Sequence, residues 1–263
     1  MPVERLHFAD HLIPRPAPRG IDAVTRLADF AIITYCVPPE HLRPLIHERF
    51  ALDTIDFGTG EQALLSVVPF RDLDFTAAAF PFPKWRFGQT NYRVYVRDRL
   101  TGEHCVWFTG TTLASWTVAL PRYLWRLPWH AGRMRFDCQL ADGRYHHYAM
   151  ETRARWAPAS LQLRSVDAAA QHPGFPDEES ALVCLTHPLT GYYYRRDGRL
   201  GSYTVWHDQL DLHAGELIDA RFGFLDRLGL VPFAEQAQPY SVLLQPETEF
   251  TIYLPPVAVS EKG

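Results

Sequence analysis

Short apolar runs alternate with turn signals along most of the chain. Residues 31–37 are rich in β-branched side chains and read as a strand. Pro38-Pro39-Glu40 then opens a helical stretch to about Ile46, since proline suits a helix's first turn. Residues 52–57 and 63–70 read as two strands around Gly58-Thr59-Gly60. The segment 77–87 reads as a loop, because Pro81 and Pro83 are hostile to a central strand. Residues 90–97 alternate cleanly, with Tyr92, Val94 and Val96 on one face and Asn91, Arg93, Tyr95 and Arg97 on the other. Thr101-Gly102 turns this strand into a partner over 104–113.

The spacing predicts a helix over 115–126. Asp142-Gly143 is a type I′ hairpin signal between strands at 135–140 and 145–152. Further strands are expected around Trp156 and over 161–166, and a short helix over 177–184. Asp197-Gly198 joins strands at 192–195 and 202–207. A second helix is expected over 220–228, with strands at 240–244 and 249–254 closing the chain. Residues 1–29 mix Pro14, Pro16, Pro18 and Gly20 with charges and read as an irregular lead-in. No linker divides residues 30–263, which are expected to form a single domain. Hairpin punctuation with few helices is the pattern of an antiparallel barrel or sandwich, not of βαβ units.

Composition narrows the class. Of the 263 residues, 47% are hydrophobic and 21% charged, so the chain can fill a core. The net charge of −4 gives no sign of a nucleic-acid or anionic-membrane partner. Cys36, Cys105, Cys138 and Cys184 are scattered without a C-x-x-C pair, which fits a reducing compartment. The N-terminal residues lack a signal-peptide core, and the longest uncharged run, 105–121, is too short for a membrane helix. The expected location is the cytoplasm.

Lysine is nearly absent: 24 of the 26 Lys and Arg residues are arginines, leaving Lys84 and Lys262. Lys262 falls in a polar tail, so amine chemistry has Lys84 as its one candidate. No G-x-S-x-G elbow, H-E-x-x-H pair or P-loop is present. His207 and His213 would lie roughly 20 Å apart in one strand, too far to share an ion, so no metal is expected. The face carrying Asn91, Arg93, Tyr95 and Arg97 is either solvated or the lining of a polar cavity. Arginine there matters because its planar fork pairs with carboxylates.

Several blocks, in order, carry a resemblance. They include Val37-Pro38-Pro39-Glu40, Leu65-Ser66-Val67-Val68-Pro69-Phe70, Asn91-Tyr92-Arg93-Val94-Tyr95-Val96-Arg97-Asp98, Leu127-Pro128-Trp129-His130, Tyr192-Tyr193-Tyr194, Val205-Trp206-His207 and Pro239-Tyr240-Ser241. The chain resembles the YqjF-like uncharacterised family of the acetoacetate-decarboxylase-like superfamily. That resemblance implies a mainly β fold, a large curved antiparallel β-barrel enclosing a small-molecule cavity, with a few outer helices. It also implies a Schiff-base lysine in a Phe-Pro-Lys-like segment, for which Phe82-Pro83-Lys84 is the literal match. Aligning on residues 91–96 instead lays Phe87-Gly88-Gln89 over that segment, so Gln89 replaces the lysine.

Two functions follow as expectations. One is an enzyme of lyase type, without the lysine, acting on a small organic acid or carbonyl compound inside the barrel. The other is a non-catalytic binder or sensor of such a compound. Arg93 is expected to anchor a carboxylate, with Asn91, Tyr95 and Gln89 beside it and His207 as a further ligand contact. No cofactor is expected, and a homo-oligomer is allowed.

Overall fold

The structure is a computed structural model that describes residues 2–58, 60–115 and 119–259. A helical turn, α1 (Phe8–His11), precedes β1 (Ala23–Val37). Next come α2 (Pro39–Leu42), a 3-10 turn at Arg43–Leu45, β2 (Phe50–Leu52) and β3 (Thr54–Asp56). β4 (Glu61–Ala77), β5 (Phe80–Asp98) and β6 (His104–Leu113) form a meander, followed by α3 (Ala119–Leu124) and β7 (Trp129–Ala131). β8 (Arg133–Ala141), β9 (Arg144–Arg153) and β10 (Ala159–Ser165) follow. Then come α4 (Glu178–Thr186), β11 (Thr190–Tyr194), β12 (Leu200–Trp206), β13 (His213–Phe222), α5 (Gly223–Arg227) and β14 (Ser241–Ala258). Strand makes up 54% of the structure and helix 12%.

Seven strands close a ring in the order β1-β4-β5-β6-β11-β12-β14, with β14 returning to β1. An odd number of strands cannot alternate direction all the way round, so one neighbouring pair must run parallel. That pair is β6–β11, joined through Val106↔Gly191 and Trp107↔Tyr192. The other six joints are antiparallel.

The period-2 pattern decides which side chains meet. Tyr92, Val94 and Val96 of β5 join Leu65, Val67 and Trp107 in one buried cluster on the outside of the ring. There they pack under a second layer, β8-β9-β10-β13, through Tyr145, Tyr148, Met150, Leu161 and Phe222. Asp29 ties the layers together: its carboxylate accepts from the Tyr145 hydroxyl at 3.0 Å and its carbonyl from the Tyr148 hydroxyl at 2.9 Å. Tyr95 belongs to the other cluster, inside the ring, with Phe30, Val68, Phe70, Val106 and Phe108. α4 packs into that cluster through Val183, Cys184 and Leu185. Asp177 caps it by accepting the Ser180 N–H at 2.8 Å, as a short polar residue does at an N-cap.

Several boundaries differ from the pattern reading. β1 begins at Ala23, inside the expected lead-in, because its outward charges find cross-strand partners. Arg26 pairs with Asp74 at 3.0 Å and with Glu247 at 2.5 Å. Strand 52–57 divides at buried Asp53, β2 pairing with β5 and β3 with β4. Segment 77–87 is strand rather than loop except for the turn at Ala78-Ala79 between β4 and β5. β5 meets β6 only from Gln89 onward, so Pro81 and Pro83 occupy an edge, where a missing N–H is tolerated. The helix expected over 115–126 covers Ala119–Leu124, and residues 116–118 lie outside the described residues. The helix expected over 220–228 gives way to strand up to Phe222 and then to α5, and the two final strands are one, β14. The hairpin at Asp142-Gly143 has φ of 51° and 74° at its two turn residues, the pair of positive angles a type I′ turn requires.

Gly191 stands at the parallel seam where the Phe108 ring lies over the backbone. A Cβ built at Gly191 would meet Phe108 Cε2 at 2.3 Å. Gly191→Ala is therefore expected to cost about 1–3 kcal/mol by forcing the ring aside. Urea unfolding followed by circular dichroism checks this. Unchanged stability would mean that the seam is not packed as described.

Candidate functional site

All seven ring strands contribute to one interior cavity of about 60 Å³. A water needs roughly 10–15 Å³ on this measure, so the space suits a ligand of few heavy atoms. Its walls are mostly apolar: Leu27 and Phe30 from β1, Val68 and Phe70 from β4, Val106 and Phe108 from β6, Phe250 and Ile252 from β14. Phe108 stacks on Tyr203 of β12 with centroids 5.4 Å apart and planes 11° from parallel. Polar groups enter chiefly from neighbouring strands, Asp72 on β4 and Gln89, Asn91 and Arg93 on β5. Thr186 and His207 complete the polar lining. Alternation along β5 is the physical reason that three of the expected residues face one space.

Arg93 is half-buried and has no carboxylate partner among the described residues. One arm, Nη2, donates to the Leu185 carbonyl at 2.7 Å, in the last turn of α4, where unpaired carbonyls attract cations. Its Nε is buried without a hydrogen-bond partner. Tyr95 does not line the cavity. Its hydroxyl lies 2.8 Å from Ser66 Oγ and donates to the Leu185 carbonyl at 3.2 Å, and Arg93 lies over its ring at 5.5 Å. Tyr95 thus supports Arg93 from the wall. Arg97, on the same face, pairs with Glu4 at 3.1 Å.

Gln89 and Asn91 form a fixed amide pair. Gln89 Nε2 and Thr111 Oγ1 both donate to Asn91 Oδ1, each at 2.9 Å. With its oxygen doubly occupied, Asn91 offers its N–H₂ group, which donates to no other described residue. His207 follows β12, with Nδ1 2.8 Å from the Asp208 carbonyl oxygen and its ring stacked on Phe250. Burial lowers the pKa of His207. His187 lies 4.7 Å away, ring to ring, and burial with the neighbouring His207 lowers it to about 3. Two neutral rings therefore separate the cavity from an outer groove that His187 lines.

Lys84 is exposed on the part of β5 that extends beyond the ring, and is not part of the cavity lining. Its segment reads as a match to a lysine motif only by letter. Pattern reasoning also missed Asp72, because Arg71-Asp72-Leu73-Asp74 looks like a charged strand end. Alternation beyond residue 70 would have placed it on the cavity face with Val68 and Phe70. Among the described residues, no three His, Cys, Asp or Glu side chains are grouped to hold a metal.

Asp72 is a buried acid in the cavity wall. It is 2% exposed, Oδ1 accepts from the Thr25 hydroxyl at 3.1 Å, and Oδ2 has no partner. Burial raises its pKa from 3.8 to about 7 despite the Thr25 hydrogen bond. The folded state therefore holds this proton more tightly than the unfolded chain does. Stability should fall as pH rises from about 4 to about 7, by up to about 4 kcal/mol at roughly 1.4 kcal/mol per unit. Asp72→Asn should remove that slope and be more stable than the parent at pH 8. Parallel pH-dependence in both proteins, by thermal or urea unfolding, would contradict the burial assignment.

No curated protein matches the chain by sequence. Among solved structures, an acetoacetate decarboxylase-like enzyme from Sphingomonas wittichii aligns with TM-score 0.60 at 12% identity, covering 92% of this chain and 94% of its own. The enduracididine biosynthesis enzyme MppR, complexed with pyruvate, aligns with TM-score 0.58 at 13% identity over 94% and 93%. Acetoacetate decarboxylase from Legionella pneumophila aligns with TM-score 0.54 at 15% identity over 97% and 96%. At such identities the likeness shows the fold: this barrel is acetoacetate-decarboxylase-like. The model of one family matches residues 24–249, nearly the whole ring and its outer layer, and the chain belongs to that family, DUF2071, described as an uncharacterized conserved protein.

Proposed function

We propose that the ring interior binds a small organic acid, with Arg93 holding its carboxylate and the Gln89–Asn91 pair contacting its remaining polar atoms. The observation that carries this reading is Arg93 itself, a cation at a cavity wall with no carboxylate partner among the described residues and with Nε unpaired there. An anion would supply that partner, and apolar walls would strengthen the pairing by excluding water. His207, being neutral, adds a polar edge without competing for the charge. The MppR structure, a similar barrel, is complexed with pyruvate, which supports a ligand of this size.

Chemistry through an imine is not part of the proposal. Lys84 is exposed, lies beyond the ring and does not line the cavity, and Gln89 stands on the interior wall instead. A non-catalytic binder draws support from the same facts, and turnover separates the two.

Pyruvate, acetoacetate and 4-oxopentanoate are the probes, with binding read by ligand-observed NMR. At least one should bind saturably, and Arg93→Met should weaken it roughly 10- to 100-fold, the worth of a charge-assisted hydrogen bond. Equal binding by the variant would overturn the assignment. Separately, incubation with acetoacetate or pyruvate and borohydride should leave the intact mass unchanged. A stable adduct lost in Lys84→Ala would restore the decarboxylase-like mechanism.

A further inference from the structure

Carboxylate binding leaves the aromatic part of the cavity wall without a role. Four residues on adjacent strands form one inward-facing row. Tyr95 of β5 pairs with Val106 of β6, Val106 with Gly191 of β11, and Gly191 with Tyr203 of β12. The Arg93 guanidinium lies over the Tyr95 ring, 5.5 Å from its centroid, at one end of that row. Phe108, the cross-strand partner of Arg93, lays its ring over Gly191 and stacks on Tyr203 at the other end. Val106 lines the cavity between the two.

The Phe108 ring is held where it stands. Its residue is 8% exposed, and Cε2 comes within 2.3 Å of where a Cβ on Gly191 would be, so backbone lies directly behind it. Tyr203 covers one face of the ring, with planes 11° from parallel. Tyr193 packs against Tyr203 in turn, with centroids 6.0 Å apart. A ring wedged between a neighbouring strand and a second ring does not swing aside for a ligand, because interiors packed to this density yield little.

The row also sets a length. From Tyr95 to Gly191 it crosses two inter-strand steps, about 10 Å in all. A carboxylate paired with the guanidinium takes about 4 Å of that span. Contact with the Phe108 ring takes about 3.5–4 Å more. About 2–3 Å remains, the reach of roughly two carbon atoms beyond the carboxylate carbon. Arg93 is the single Lys or Arg in the lining among the described residues, so a second carboxylate would meet apolar wall.

We propose that Phe108, backed by Gly191 and Tyr203, sets ligand length, and that the cavity selects monocarboxylic acids with about two carbons beyond the carboxylate, the size of pyruvate. This rests on the binding reading above and gives it a substrate class. Longer and aromatic acids are refused because the ring already fills the space their tails need. Phe108 meets the tail of the ligand and not its carboxylate. Removing the ring therefore changes which acid binds and leaves the Arg93 contact in place.

Pyruvate and phenylglyoxylate are the probes, a pair in which a phenyl ring replaces the methyl group while the carboxylate and oxo groups stay the same. Binding to the full chain is read by ligand-observed NMR. The parent should bind pyruvate at least about 10-fold tighter than phenylglyoxylate. Phe108→Ala should tighten phenylglyoxylate at least about 10-fold while pyruvate stays within about 3-fold of the parent. Phe108→Leu, which shortens the side chain and keeps it apolar, should move the ratio the same way and keeps the idea testable if Phe108→Ala fails to fold. A parent that binds both acids equally, or a ratio unmoved in the Phe108 variants, would overturn the role of Phe108. If pyruvate binding is then still lost in Arg93→Met, the binding reading stands without it. Binding of 4-oxopentanoate through Arg93, with pyruvate not bound, would overturn the length limit and likewise spare the binding reading. Pyruvate bound equally by Arg93→Met, or no acid bound at all, would overturn both.

Discussion

Closure of an odd ring is the constraint on which the rest of this structure depends. Seven strands cannot alternate direction throughout, so β6 and β11 run parallel, and a parallel joint cannot be made by a hairpin. The connection between them instead spans α3, β7, the outer strands β8–β10 and α4. That long excursion lays three of the four strands of the second layer, β8–β10, over one face of the ring and delivers α4 to the other. The chain then returns to β11, and Gly191 leaves room for the Phe108 ring at the seam. Most of the extra layer and the inserted helix thus belong to the one connection that the parallel joint requires.

Delivery of α4 in turn fixes the interior electrostatics. A helix that ends among apolar side chains must find donors for its last carbonyls. Here the Leu185 carbonyl takes both the Arg93 guanidinium and the Tyr95 hydroxyl, and Tyr95 continues through Ser66 to Thr34 at 2.8 Å per step. Arg93 is therefore held in place by the fold with part of its donor capacity unspent. A structural need for a helix cap and a free guanidinium edge in a cavity are satisfied by the same residue.

Much of this was legible in the pattern of residues, because β5 is both a core strand and a cavity wall. Its strict alternation separated Tyr92, Val94 and Val96 from Asn91, Arg93 and Tyr95, and the two sets do pack on opposite faces. What alternation does not carry is depth. It groups Tyr95 with Arg93 although the tyrosine is spent on α4, and it says nothing of the distant residues that arrive, such as Thr186 and Tyr203. Prolines misled for the opposite reason: they exclude a central strand, whereas β5 is an edge before Gln89. Charges hid strands as well. Arg26 and Asp72 looked like surface punctuation until cross-strand pairing gave one of them ion partners and alternation turned the other inward.

The separation of Arg93 from Asp72 is itself informative. Were they adjacent they would form an ion pair, the carboxyl would stay ionised well below neutral pH, and the guanidinium would be satisfied by the protein. Spaced about six residues apart along the ladder, roughly 20 Å between Cα atoms, neither neutralises the other. The amides of Gln89 and Asn91 occupy the interval, contributing dipoles but no charge, so the cavity keeps a cation at one pole and a protonatable acid at the other. Each group is costly where it stands, the arginine through an unpaired Nε and the aspartate through burial. A fold tuned only for stability would replace both with apolar side chains of similar volume. Keeping both on the lining of one cavity concentrates that cost where a ligand meeting either group would relieve part of it.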